Sequence, residues 1–99
     1  MRLLPWPNPD GGPCYLSTDD PTSVISRLAD DIEEAQLASG RQVLTISEAI
    51  LADAAAGDRT VRFALTRTVE SLRDALRVAD SRGDRIDRWQ PNPPAAEND

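Results

Sequence analysis

Between Val61 and Ala79 apolar side chains recur at intervals of three and four: Val61, Leu65, Val69, Leu72, Leu76 and Ala79. An α-helix turns about 100° per residue, so this spacing lines one side of a helix. Ala64, Thr68 and Ala75 fill the flanks of that stripe. Arg59, Arg62, Thr66, Glu70, Arg73 and Arg77 occupy the other side. The pattern predicts a helix over 60–83, roughly 35 Å long. Asp58 is its expected N-cap, and Gly83 its expected C′ residue with Arg82 in the last turn. One residue breaks the pattern. Phe63, the single phenylalanine, falls in the middle of the polar side.

An earlier helix is announced by Asp20 and Pro21, an N-cap residue followed by the proline favoured at the first helical position. Ile25, Leu28, Ala29, Ile32, Ala35 and Gln36 form its stripe, and Asp30, Asp31, Glu33 and Glu34 face mostly away from it. Val43, Ile46, Ile50, Leu51 and Ala54 continue beyond Gly40. Val43 returns to the angle of Ile25, so the stripe keeps its phase across Gly40 and favours one long helix bent there. A break at Ser39-Gly40, with Ser39 and Gln42 capping a new helix, would instead make three helices. The turn Ala55–Asp58 contains Gly57 and sends the following helix back antiparallel.

Residues 1–20 differ in kind. Pro5, Pro7, Pro9 and Pro13, with Gly11 and Gly12, exclude a helix there. Asn8-Pro9-Asp10-Gly11 is a turn signal: Pro presets φ, Asp bonds back to the backbone, and Gly accepts positive φ. Leu3, Leu4 and Trp6 precede that turn, and Cys14, Tyr15 and Leu16 follow it. An extended or β-hairpin-like segment follows from this, its pairing limited by the prolines. After Gly83 the sequence DRIDRWQPNPPAAEND is polar and proline-rich, which predicts a disordered tail over 84–99. The expected organisation is therefore all-α: an extended segment over 1–20 and a helical domain over 21–83, either a helical hairpin or a three-helix bundle.

Composition narrows the function more than it names it. At 99 residues and 4% aromatic content, the core is modest and built from Leu, Ile, Val and Ala, and chains of this size often gain stability by oligomerising. The net charge is −6. All the acidic excess lies before Arg59, and the arginines concentrate after it, so an acidic first helix is expected beside an arginine-bearing second one. There is no histidine, which removes His-based acid–base pairs and the usual zinc ligands. There is no lysine, which removes the phosphate-loop lysine and Schiff-base chemistry. Cys14 is the single cysteine, reads as an incidental thiol, and points to a reducing compartment. The opening MRLLPWPNPD has no apolar run of signal-peptide length, and no stretch approaches a membrane span. A cytoplasmic protein without a membrane partner is the expectation.

Helical carboxylates are the remaining catalytic candidates. All-α nucleotide pyrophosphatases bind Mg²⁺ through paired Glu-Glu-x-x-Glu and Glu-x-x-Asp motifs, and neither motif occurs here. No enzyme activity, cofactor or metal is therefore expected. Ile46–Leu51 followed by Gly57 and Thr60-Val61-Arg62-Phe63-Ala64-Leu65 resembles the helix-turn-helix of bacterial regulators of the GntR or LacI kind, which would place Arg59, Arg62, Phe63 and Thr66 on DNA. The stripe runs well past the end of such a recognition helix, and the acidic net charge opposes phosphate binding. Nucleic acid is thus the disfavoured partner.

Over residues 3–83 the chain resembles a set of small helical proteins of high-GC Gram-positive bacteria. The resemblance rests on Leu3–Trp6, Pro13–Asp20, Leu28–Asp31, Glu34–Leu37 and Ser71–Gly83. It implies a small helical fold and brings no activity or site residue with it. The expected function is a non-enzymatic interaction or regulatory module whose partner is another protein or a second copy, as a homodimer. Arg59, Phe63, Thr66, Arg73 and Arg77 are its candidate contact residues, because an aromatic among arginines is a composition enriched at interfaces.

Overall fold

The computed structural model describes residues 1–17 and 23–88. The element order is β1 (Arg2–Pro7), β2 (Pro13–Leu16), α1 (Val24–Ala52) and α2 (Asp58–Arg88). The helical hairpin with an N-terminal β-hairpin is the architecture observed, and no third helix divides α1 among the described residues.

β1 and β2 pair antiparallel, with Arg2 opposite Leu16 and Leu3 opposite Tyr15. The pairing is irregular between Leu3 and Pro7 and resumes at Pro7 opposite Pro13, because prolines at 5, 7 and 13 cannot donate to a ladder. The turn forms as its residues require. Gly11 adopts φ 88°, Gly12 N–H donates to the Asp10 carboxylate at 2.9 Å, and Asn8 N–H donates to the Gly12 carbonyl at 2.8 Å.

α1 begins later than Asp20-Pro21 suggests. Its N-cap is Ser23, whose hydroxyl accepts from Ser26 N–H at 3.1 Å. Asp20 and Pro21 lie outside the described residues. The helix runs through Gly40 without a break. Asp53 ends it, its N–H donating to the Ile50 carbonyl and its carboxylate accepting from Ala55 N–H at 2.9 Å. α2 starts with Val61 N–H donating to the Gly57 carbonyl, which puts Asp58 in the first helical turn rather than at the cap. There its charge still favours the helix N-terminus. At the other end α2 passes through Gly83 to Arg88. Gly83 is thus an interior residue, and 84–88 belong to the helix. The rest of the expected tail, 89–99, lies outside the described residues.

The helices lie side by side, joined by polar contacts. Ser47 and Thr68 share a hydrogen bond of 3.0 Å, and Arg82 reaches Glu33 at 3.4 Å. Ser47 to Glu33 and Thr68 to Arg82 are equal steps along the two helices, so one antiparallel register holds between them. That register sets Gly40 opposite Ala75. Among the described residues the buried apolar side chains are Leu4, Pro5, Ala29 and Val78, and Arg2, Ser26, Glu33 and Ser81 are buried as well. The expected stripes are therefore placed differently than their periodicity suggested. Val61, Leu65, Val69, Leu72 and Leu76 stay between 43% and 62% exposed, and Ile25 and Leu28 are exposed too.

β1 fills the open end of the hairpin, tied to both helices by polar contacts. Ser81 Oγ donates to the Leu3 carbonyl at 2.9 Å. Gln36 Nε2 and Arg77 Nη1 both donate to the Pro5 carbonyl, at 2.9 and 3.4 Å. Arg2 is buried, donating to the Ser26 carbonyl at 2.9 Å and pairing with Asp30 at 2.7 Å and Glu33 at 3.2 Å. Glu33 also meets Arg82 and, at 3.3 Å, Arg85. One carboxylate thus joins β1, α1 and α2. The acidic run of α1, expected to face solvent, sends this member inside, where it is 1% exposed. A buried carboxylate needs such compensation, since desolvation of an unpaired charge costs several kcal/mol.

Candidate interaction surface

The candidate contact residues share one side of α2, and the fold divides them. Arg59, Phe63 and Thr66 lie on the first two turns or so, away from the β-hairpin. Phe63 is 63% exposed, and the Arg67 guanidinium sits 5.8 Å from its ring centroid, within the range of a cation–π contact. Arg67 also pairs with Glu70 one turn on. The Thr66 hydroxyl donates to the Arg62 carbonyl at 2.9 Å. Arg59 and Arg62 are exposed and make no ion pair among the described residues.

Arg73 and Arg77 have a different setting. Both border a cleft of about 290 Å³ between α2 and the β-turn, with Leu3, Gly12 and Pro13 on its other wall. Arg77 is committed to the Pro5 carbonyl and to Asp74 at 3.5 Å. The β-hairpin therefore covers the far end of the arginine-bearing side. Arg59, Arg62, Phe63, Thr66, Arg67 and Arg73 are exposed, and Arg77 is half-buried.

A second surface is larger and apolar. Between the helices runs a groove of about 310 Å³. Gly40, Ser47, Ser71 and Ala75 are among its lining residues, with Leu37, Leu44 and Leu72. On α1, Leu37, Leu44 and Leu51 are seven residues apart. On α2, Leu65, Val69, Leu72, Leu76 and Ala79 step by four and three. These are the intervals of a coiled-coil seam. Leu44 is 59% exposed, Leu51 83% and Leu72 57%. The α2 stripe was legible as a helix face, whereas its exposure was not.

Chemically both surfaces suit binding. Among the described residues, no group of Asp, Glu and Cys side chains is placed to hold a metal ion. Cys14 is a free, half-buried thiol on β2. None of the helices among the described residues is long and apolar enough to cross a membrane. The segment resembling a helix-turn-helix lies at the end of α1 and the start of α2, two helices that run alongside each other. A helix-turn-helix instead crosses its helices at about 90–120°. No family model matches this chain, and neither a curated protein nor a solved structure shows significant similarity to it.

Proposed function

We propose that this chain is a non-enzymatic protein-interaction module that works by self-association. One observation supports the reading above others: Leu and Val side chains at coiled-coil spacing stand open to water along both helices, while the buried apolar set among the described residues is Leu4, Pro5, Ala29 and Val78. A domain of this size needs most of its Leu and Val out of water to offset chain entropy. The missing burial is supplied when another apolar helical surface covers the seam. Arg59, Phe63 and Thr66 then form a separate, arginine-flanked aromatic patch, of the composition that anchors protein partners. Arg73 and Arg77 border this patch where the β-hairpin meets α2.

Sedimentation at several protein concentrations tests the reading. A mass above that of the monomer, falling on dilution, is the expected result. A monomer at every concentration from about 1 to about 100 µM would remove self-association as the mode of action. Regulation of transcription through DNA is the competing reading. It requires a salt-dependent shift of random duplex that Arg62→Ala weakens.

A further inference from the structure

We infer that the groove face is the self-association surface, and that its occupant is the same face of a second copy, completing a four-helix bundle. The inference rests on the self-associating reading above and adds which face is used.

The area supports a second copy. Full burial of a Leu or Val contributes up to about 3 kcal/mol at about 25 cal/mol per Å², which corresponds to roughly 120 Å² of apolar side chain. Leu44, Leu51, Val61, Leu65, Val69 and Leu72 keep between 43% and 83% of their surface. Together they leave on the order of 400 Å² of apolar area open. A standard interface buries about 800 Å² per partner, of which about 65% is apolar in homodimers. The two figures are of the same order, so this face is of the size that a second hairpin covers.

The shape and charge support it as well. The seam spacings, seven on α1 and four-then-three on α2, are those that pack against like spacings on a neighbouring helix. The small residues Gly40, Ser47, Ser71 and Ala75 leave room between the Leu rows for incoming Leu side chains. Arg41 is the one charged residue lining the groove, matching the depletion of charge at interface centres. The monomer buries few apolar side chains, Leu4, Pro5, Ala29 and Val78 among the described residues, so a partner that is always at hand adds to its stability. A second copy of the chain meets that condition in every preparation.

Equilibrium sedimentation of full-length Leu44→Ala, Leu72→Ala and Phe63→Ala tests it. Alanine keeps helix propensity, so the variants fold by the same local rules. Each Leu variant is present twice in the dimer and is expected to raise its dissociation constant at least about tenfold. Phe63→Ala, on the arginine-flanked patch, is expected to change it less than about threefold. Leu72→Glu adds a second check. It places a charge at a position 57% exposed in the monomer, so it should leave no dimer. A wild-type dimer that Leu44→Ala, Leu72→Ala and Leu72→Glu leave intact would overturn the assignment of the face while self-association stands. A dimer weakened by Phe63→Ala more than by Leu72→Ala would overturn it too, in favour of the aromatic patch. A wild-type monomer throughout would overturn the underlying reading itself.

Discussion

Replacing Glu33 with glutamine removes one charge and keeps the volume of the side chain. Its consequences can be worked out contact by contact. Glu33 faces Arg2, Arg82 and Arg85 at 3.2–3.4 Å. The Arg82 and Arg85 side chains are 42% and 32% exposed, so each can turn to water when its partner is lost. Arg2 cannot, because it is buried against α1, and among the described residues its Nε already lacks a partner. Removing one member of a buried ion pair costs about 3–5 kcal/mol. Arg2 keeps Asp30 and the Ser26 carbonyl, which places Glu33→Gln at the low end, about 3 kcal/mol. Domains of this length have total stabilities of about 5–15 kcal/mol, so the loss is a large fraction. With a urea slope of about 1 kcal/mol/M, the midpoint falls by about 3 M. Arg82→Gln is the control. It removes a half-exposed partner and should cost less than about 1 kcal/mol. Urea melts followed by far-UV circular dichroism, all at one protein concentration because association stabilises the fold, give both numbers. A Glu33→Gln loss below about 1 kcal/mol, or one equal to that of Arg82→Gln, would refute the view that this carboxylate joins β1 to the helices.

Other substitutions probe other links. Gly83→Ala should raise stability by about 1 kcal/mol in thermal melts, since nothing lies within 4 Å of an added Cβ and alanine favours the helix. Gly40→Ala meets the same open space within one chain. It should match the Gly83 gain when the dimer leaves Gly40 uncovered and fall short of it when a Leu of the second copy closes over that site. Phe63→Ala should lower stability by less than about 1 kcal/mol, as most of the ring is already in water. It should weaken capture of a protein partner by more than that. A large drop in melting temperature would instead make Phe63 a core residue. Ser81→Ala removes the donor to the Leu3 carbonyl and should cost about 1–2 kcal/mol. In a Trp89→Phe background, Trp6 emission should then shift at lower urea than the helix signal; coincident transitions would show that β1 does not loosen separately.

Much of this fold can be read from local chemistry. The Asn8–Gly12 turn follows from Pro, Asp and Gly at fixed offsets, and both helices follow from their periodicity. Periodicity reports that a helix has an apolar side. It does not report what covers that side. On α2 the residues whose side chains reach α1, Thr68, Arg82 and Arg85, lie off the Leu and Val stripe, so its periodicity does not point to them. Glu33 was illegible for another reason. Its principal buried partner, Arg2, is 31 residues away, and within α1 nothing distinguishes Glu33 from Asp31 or Glu34. Gly83 carries a stop signal that α2 overrides, with Arg82 and Arg85 on either side of it anchored to Glu33. Of the candidate contact residues, Phe63 is legible as the exception to its helix face. The claim of the β-hairpin on Arg77 becomes visible only once Pro5 is placed beside α2.

The strand β1 sets a timetable for folding in the cell. Its residues are synthesised before both helices, yet its α2 partners Arg77 and Ser81 lie near the far end of that helix. At about 5–20 residues per second, roughly 4–16 s pass between the appearance of β1 and the completion of its seat. The helical hairpin, joined by a short turn, closes within microseconds to milliseconds once its second arm is available. Arg2 can pair as soon as Ser26, Asp30 and Glu33 of α1 are made, but the Leu3 and Pro5 carbonyls wait for their donors on α2. A segment made before both helices is therefore the last to dock completely, and it is one a holding chaperone would meet.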